Sequence, residues 1–230
     1  MPTSNNNGSN RRFYEMVFDE EKHLYYVDGK VVPSVTEILA PLHRSYGNLN
    51  PSVLDYARRR GTAVHEELEM LDLTGDLEWT PETAPYIQAY LEWYQVYKPT
   101  WTAVEKPVFC EELWYAGTLD RMGYLNDGKL AIVDIKTSQP TREAYVSVCL
   151  QTMAYAFAVC SESYGMTMTE CKDINRYGLF LMKDGKYRLL DCKEWESTNH
   201  IDAENSFAML LATNKMVNKL LEKKGSRKDE

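Results

Sequence analysis

Apolar positions change period along this chain, and each change marks an element. In Met16-Val-Phe18 and His23-Leu-Tyr-Tyr-Val27 they fall in short strand-like runs, and Asp28-Gly29 reads as a turn into Lys30-Val-Val32. Ser34 and Glu37 form a capping-box pattern that opens a short helix through Ala40, and Pro41 and residues 48–51 make a loop. From there the period becomes helical. Asn50 reads as an N-cap, Pro51 as the first helical residue and Gly75 as the terminator, while Ala57, Val64, Leu68 and Leu71 share one face. A second helical segment opens at Thr80-Pro81. It carries Tyr86, Ile87, Tyr90, Leu91 and Tyr94, an aromatic stripe better suited to a core than to stacking bases.

Beyond Trp101 the pattern turns to strands, over 102–110, 113–125 and 129–136, with Asn126-Asp-Gly128 as a tight turn. The last two strands are therefore antiparallel neighbours. Residues 141–160 read as a largely buried helix packed on this sheet. A hairpin follows, 177–182 and 186–191 around Asp184-Gly185, and then one terminal helix from Ser197 or Asn199 to about Leu221. Residues 1–12 are expected to be disordered, 13–221 to form a single domain and 222–230 to be a charged tail. The succession predicts an α/β fold, a mixed central sheet flanked by helices.

Composition narrows the classes. No apolar run approaches the roughly 18 residues that span a bilayer, so no membrane partner is expected. The polar N-terminus offers no signal peptide. Five scattered cysteines, an odd number, point to reduced thiols and a cytoplasmic setting. The net charge of −8 opposes broad contact with phosphates and favours a narrow channel with local positive charge. Arg58, Arg59 and Arg60 are the candidates for that channel. Equally, three consecutive arginines point in three directions and could merely solubilise their helix.

Candidate chemistry gathers around three acidic and basic residues. In a strand over Leu130–Lys136, Asp134 and Lys136 project from one face and Ile135 from the other. Asp120, in Gly117-Thr-Leu-Asp120, lies on the neighbouring strand, so two carboxylates and an ammonium meet. Clustered carboxylates are costly unless a hard divalent cation uses them. His65 falls on the border of its helix's apolar stripe, about 60° from Leu68. Gly61, one turn earlier, costs that helix about 1 kcal/mol relative to alanine, which suits close approach of another backbone or a nucleic-acid strand. Gln151 and Tyr155 stand one turn apart on a helix with little polar surface, so each needs a partner. Glu105 is a further candidate for the metal shell, or else an ordinary surface-strand glutamate.

Gly61…His65, Gly117-Thr-Leu-Asp120, Asp134-Ile-Lys136 and Gln151…Tyr155 together resemble the ordered motifs of the RecB-like branch of the PD-(D/E)xK nuclease superfamily. Val32-Pro-Ser-Val-Thr-Glu-Ile-Leu39 is similar to a segment preceding the core in phage exonucleases and mitochondrial genome maintenance exonucleases. The resemblance implies a restriction-endonuclease-like core. It also implies that His65, Asp120, Asp134 and the Ile135 carbonyl bind Mg²⁺ or Mn²⁺. Lys136 would orient or activate the attacking water and stabilise negative charge at the phosphate, and Gln151 and Tyr155 would support the site and the DNA backbone. The implied activity is exonucleolytic cleavage of DNA, single-stranded or with a free end, in recombination, replication or repair. A recombination or single-strand-binding protein is the further partner, and the cytoplasm of a bacterial or phage-infected cell the setting. The alternatives are a catalytically silent DNA-end-binding adaptor and an endonuclease of the same fold. Iron–sulfur members of the branch carry a cysteine cluster whose spacing Cys110, Cys149, Cys160, Cys171 and Cys192 do not match, so no iron–sulfur cluster is expected.

Overall fold

A computed structural model describes residues 14–42, 50–162, 171 and 173–225. The expected disorder of residues 1–12, and most of the loop before Asn50, lie outside the described residues. Two sheets organise the chain. Strands β1 (Met16–Asp19), β2 (Leu24–Val27) and β3 (Lys30–Val32) form the antiparallel meander read from the sequence. The larger sheet has the order β4 (Thr100–Cys110), β5 (Tyr115–Tyr124), β6 (Leu130–Lys136), β7 (Asn175–Leu181) and β8 (Tyr187–Asp191). All its pairs are antiparallel except β6 with β7. A parallel pair needs a crossover, and helix α4 (Arg142–Glu162) lies in it. This is the mixed α/β architecture expected.

Opposite faces of the large sheet bury different helices. Ala131, Val133 and Ile135 of β6 pack with Val64 and Leu68 of α2 (Pro51–Thr74) and with Tyr86, Ile87, Tyr90 and Trp93 of α3 (Ala84–Tyr97). Ile132 packs instead with Leu150, Ala154 and Tyr155 of α4 and with Val35, Ile38 and Leu39 of α1 (Val35–Leu39). Helix α4 is long and apolar enough by composition to cross a bilayer, which qualifies the expectation that no segment is. Its apolar surface has another cause: Ser147–Leu150, Thr152 and Ala154–Cys160 are buried, because sheet and helices enclose it.

The helix signals hold in detail for α1 and α2. Ser34 Oγ accepts from Glu37 N at 3.0 Å, Asn50 Oδ1 accepts from Ser52 N at 3.0 Å, and Gly75 ends α2 in the left-handed region. Helix α3 begins at Ala84 rather than at Thr80-Pro81, because Thr80 spends its carbonyl on a turn with Thr83 and Ala84. Pro85, lacking an N–H, then fits the first turn. The single terminal helix is also corrected. Asp191 caps α5 (Cys192–Asn199) through Glu194 N at 3.0 Å, and His200 stops it with φ 55°. Asp202 then accepts from Asn205 N at 3.0 Å and opens α6 (Ala203–Gly225), which runs past Leu221. Finally, Cys160 and Cys171 form a disulfide, against the expectation of reduced thiols throughout; Cys110, Cys149 and Cys192 are free and buried.

The Pro-Ser-Val-Thr segment ties the small sheet to the large one. Ala116 N donates to Pro33 O at 3.1 Å, and Tyr25 and Thr118 share a hydroxyl hydrogen bond of 2.8 Å. Both contacts land on β5, two to four residues before Asp120.

Candidate active site

The site forms where β5 and β6 part. Their ladder runs from Tyr124↔Leu130 to Arg121↔Val133. Beyond that pair Ile135 N donates not to a strand but to Asp120 Oδ2, at 2.6 Å. The Ile135 carbonyl faces His65 Nε2 at 3.2 Å, while the Ile135 side chain sits in the α2/α3 core, as alternation requires. The splayed strands thus expose backbone to a cleft that His65 enters from α2.

Asp134 and Lys136 do project to one face. Lys136 Nζ stands 2.7 Å from Asp134 Oδ2 and donates to Gln151 Oε1 at 3.2 Å. Gln151 Nε2 in turn donates to the Tyr155 hydroxyl at 2.9 Å. Tyr155 is buried and acts on the site through Gln151. Its ring explains Gly117: a Cβ there would lie 2.8 Å from Tyr155 Cε1 and 3.2 Å from Val35 Cγ2. The glycine of the Gly-Thr-Leu-Asp segment is therefore needed for close packing beneath Lys136. Gly61, by contrast, faces only Thr137 Oγ1, at 3.4 Å from an added Cβ, which is ordinary contact.

Glu105 is not an ordinary surface glutamate. Its backbone has φ 42° within β4, a conformation costing roughly 1–3 kcal/mol for such a residue. It projects into the cleft, where Oε1 lies 3.1 Å from His65 Nδ1 and accepts from Arg121 at 2.9 Å. His65, Glu105 and Asp120 present donor atoms all within 4.8 Å of one another. Asp134 stands outside that compact group. It is fully buried beside it, with Oδ1 lacking a hydrogen-bond partner and Oδ2 against Lys136.

Charge explains what the cluster can hold. With all four carboxylates ionised and His65 neutral, the state a bound cation favours, Asp72, Glu105, Asp120 and Asp134 exceed the two cations Arg121 and Lys136 by two charges. Burial pushes the Asp134 carboxyl up, Lys136 pulls it down and Asp120 pushes it up again, leaving it at about 7. For Lys136, burial disfavours the ammonium but Asp134 and Asp120 outweigh it, so the side chain stays protonated. For His65, burial is likewise overcome by Asp120 and Glu105, and the shift is upward. Carboxylate oxygens, one imidazole, a backbone carbonyl and two surplus negative charges fit a hard divalent cation. The compact donor group found is His65, Glu105 and Asp120, whereas the resemblance implies His65, Asp120, Asp134 and the Ile135 carbonyl as the residues that would hold the ion.

The three arginines do not act as one patch. Arg58 and Arg59 are exposed, and Arg59 pairs with Asp55 at 3.3 Å. Arg60 is half-buried, donates to the Thr137 carbonyl at 3.2 Å and lies over the Tyr86 ring at 4.9 Å. Only Arg60 is thereby tied to the end of the Lys136 strand. The sequence alone marked Tyr90 only as part of an aromatic core stripe and assigned no role to Asp72 or Arg121. Their signal was present: Asp72 follows Leu68 by one turn on the apolar face of α2, and Arg121 interrupts an apolar strand.

Splayed strands, a hard-cation donor set and an ammonium beside it fit the chemistry of phosphodiester hydrolysis. The chain belongs to the PD-(D/E)XK nuclease superfamily, whose family model matches residues 37–195. Members of that superfamily use divalent metals, in keeping with the donor group found here. A solved structure similar to this one is that of LHK-Exo in complex with dAMP, at 13% identity and a TM-score of 0.39, with 85% of this chain and 94% of that chain covered. No curated protein matches the sequence.

Proposed function

We propose that this nuclease is a Mg²⁺- or Mn²⁺-dependent DNA exonuclease that hydrolyses phosphodiester bonds from DNA ends during recombination, replication or repair. The observation that carries the catalytic part is the meeting of Asp120, Asp134 and Lys136 about the Ile135 backbone. A bound divalent ion supplies Lewis acidity and lowers the pKa of the attacking water. Lys136, held by Asp134 and Gln151, orients or activates the attacking water and offsets charge developing on the phosphate oxygens. Gln151 and Tyr155 keep that ammonium in place. His65, Asp120, Asp134 and the Ile135 carbonyl would hold the ion.

Action at ends is supported by the resemblance of the Pro-Ser-Val-Thr segment and core motifs to exonucleases. The net charge of −8 also suits threading of an end better than coating of internal duplex. The test uses end-labelled linear DNA and covalently closed circles, single- and double-stranded, each incubated with Mg²⁺. Progressive loss of linear DNA with persistence of the circle supports the reading. Comparable cutting of the circle makes the protein an endonuclease, and no cutting of any substrate leaves a silent DNA-end-binding adaptor.

A further inference from the structure

A line of buried charges connects α3 to the His65 imidazole. The Tyr90 hydroxyl donates to Asp72 Oδ2 at 2.7 Å, and Arg121 Nε donates to the same oxygen at 2.7 Å. Arg121 Nη1 donates to Glu105 Oε1 at 2.9 Å and to the Asp120 carbonyl at 2.8 Å. Glu105 Oε1 meets His65 Nδ1 at 3.1 Å, while His65 Nε2 remains 3.2 Å from the Ile135 carbonyl. The Arg121 and Asp72 side chains have no exposed surface.

We propose that Arg121, backed by Asp72 and Tyr90, is a positioning residue that holds Glu105 against His65 Nδ1 and so turns Nε2 toward the cation. The proposal rests on the reading of this cleft as a cation site. Three features carry it. An imidazole that binds a metal through one nitrogen is oriented by giving its other N–H to a carboxylate. Glu105 is that carboxylate, and its left-handed backbone persists only if the surroundings impose it. Arg121 is the group that imposes it, because one planar fork reaches Asp72, Glu105 and the Asp120 carbonyl at once. An ion pair serving the core alone would be a poor use of so much buried charge, since such pairs stabilise folds little against apolar replacements.

The experiment is a double-mutant cycle read by calorimetric titration of Mn²⁺ into the full-length protein. Arg121→Lys keeps the charge but lacks the fork, and is expected to weaken Mn²⁺ binding roughly 10- to 100-fold. Glu105→Gln is expected to weaken it comparably. In the Glu105→Gln background, Arg121→Lys should then cost almost nothing more, because its target has already been removed. Where Arg121→Lys fails to fold, as judged by circular dichroism, Asp72→Asn takes its place in the same cycle. Isotope-labelled histidine with Cd²⁺ as a diamagnetic probe gives a second readout. The native protein should show His65 protonated at Nδ1 and metal-bound at Nε2, and Arg121→Lys should lose that single state. Equal losses in both backgrounds, or unchanged Mn²⁺ affinity, overturn the relay. Neither readout depends on DNA cleavage, so an inactive protein that obeys the cycle refutes the exonuclease reading alone.

Discussion

Ile135 donates its main-chain N–H to the Asp120 carboxylate at 2.6 Å, at the point where the β5–β6 ladder has ended. A backbone donor that would otherwise extend a strand pair is used to hold an acidic side chain, and the same residue turns its carbonyl toward His65. One residue of strand β6 thus anchors two elements of the site without using its own side chain. Several measurable consequences follow from that arrangement and from the groups around it.

Lys136→Ala should lower the cleavage rate by on the order of 10² to 10³, the usual cost of removing a group that stabilises transition-state charge. Mn²⁺ binding should survive, because Asp134 loses a competitor for its Oδ2 rather than a ligand partner. Single-turnover cleavage and Mn²⁺ titration on the same preparation check both halves; near-normal turnover would remove Lys136 from the mechanism.

Asp120→Ala should weaken Mn²⁺ binding and abolish cleavage, since it removes an anionic oxygen and also frees Ile135 N. His65→Ala should be milder and should alter the preference between Mg²⁺ and Mn²⁺, imidazole being the softer ligand. Unchanged calorimetric affinities in both variants would place the cation elsewhere.

Metal-free protein should lose stability as the pH rises from about 4 toward 7. The sign follows from Asp134, whose carboxyl is raised in the folded state from 3.8 to about 7. Over that window the folded protein binds the proton more tightly than the unfolded chain, so the contribution is full at low pH and fades as Asp134 ionises. Saturating Mg²⁺ should reverse the trend, by binding the ionised form. Thermal melts across pH with EDTA and with Mg²⁺ measure this; parallel curves would contradict it.

Gly117→Ala should destabilise the fold by about 1–3 kcal/mol through overpacking against the Tyr155 ring and Val35. Because Tyr155 supports Gln151 and Lys136, the rate should fall as well. Urea denaturation and cleavage assays test the two effects. Combining the change with a smaller residue at 155 should restore stability without restoring rate.

Arg60→Ala should weaken DNA binding more than Arg58→Ala or Arg59→Ala, as Arg60 is the one fixed beside Thr137, next to Lys136. A lost single-strand phosphate contact should reduce the slope of log affinity against log salt by roughly 0.7. Equal slopes for all three variants would assign the run to solvation.

Much of this molecule was determined by its sequence alone. Local physics set the boundaries of α1 and α2: Ser34, Asn50, Pro51 and Gly75 act within their own turns, so no distant contact is needed to read them. Strand alternation likewise placed Asp134 and Lys136 together and sent Ile135 to the core. Antiparallel neighbours joined by the Asn126–Gly128 turn brought Asp120 to the same point. The ordered motifs carried the superfamily.

The tertiary structure decided what depends on residues far apart in the chain. Glu105 meets His65 across 40 residues, and Arg121 meets Asp72 across 49, so no local period could announce either contact. Gly117 gained its meaning only when Tyr155 packed over it. The break at His200 was hidden because a non-glycine residue adopts φ 55° there. The pairing of Cys160 with Cys171 depends on where two chain segments return, which spacing does not encode. Periodicity and caps act through neighbours along the chain, whereas buried charge is partnered through space; that is why most strands and helices were legible and the contacts of Arg121 were not.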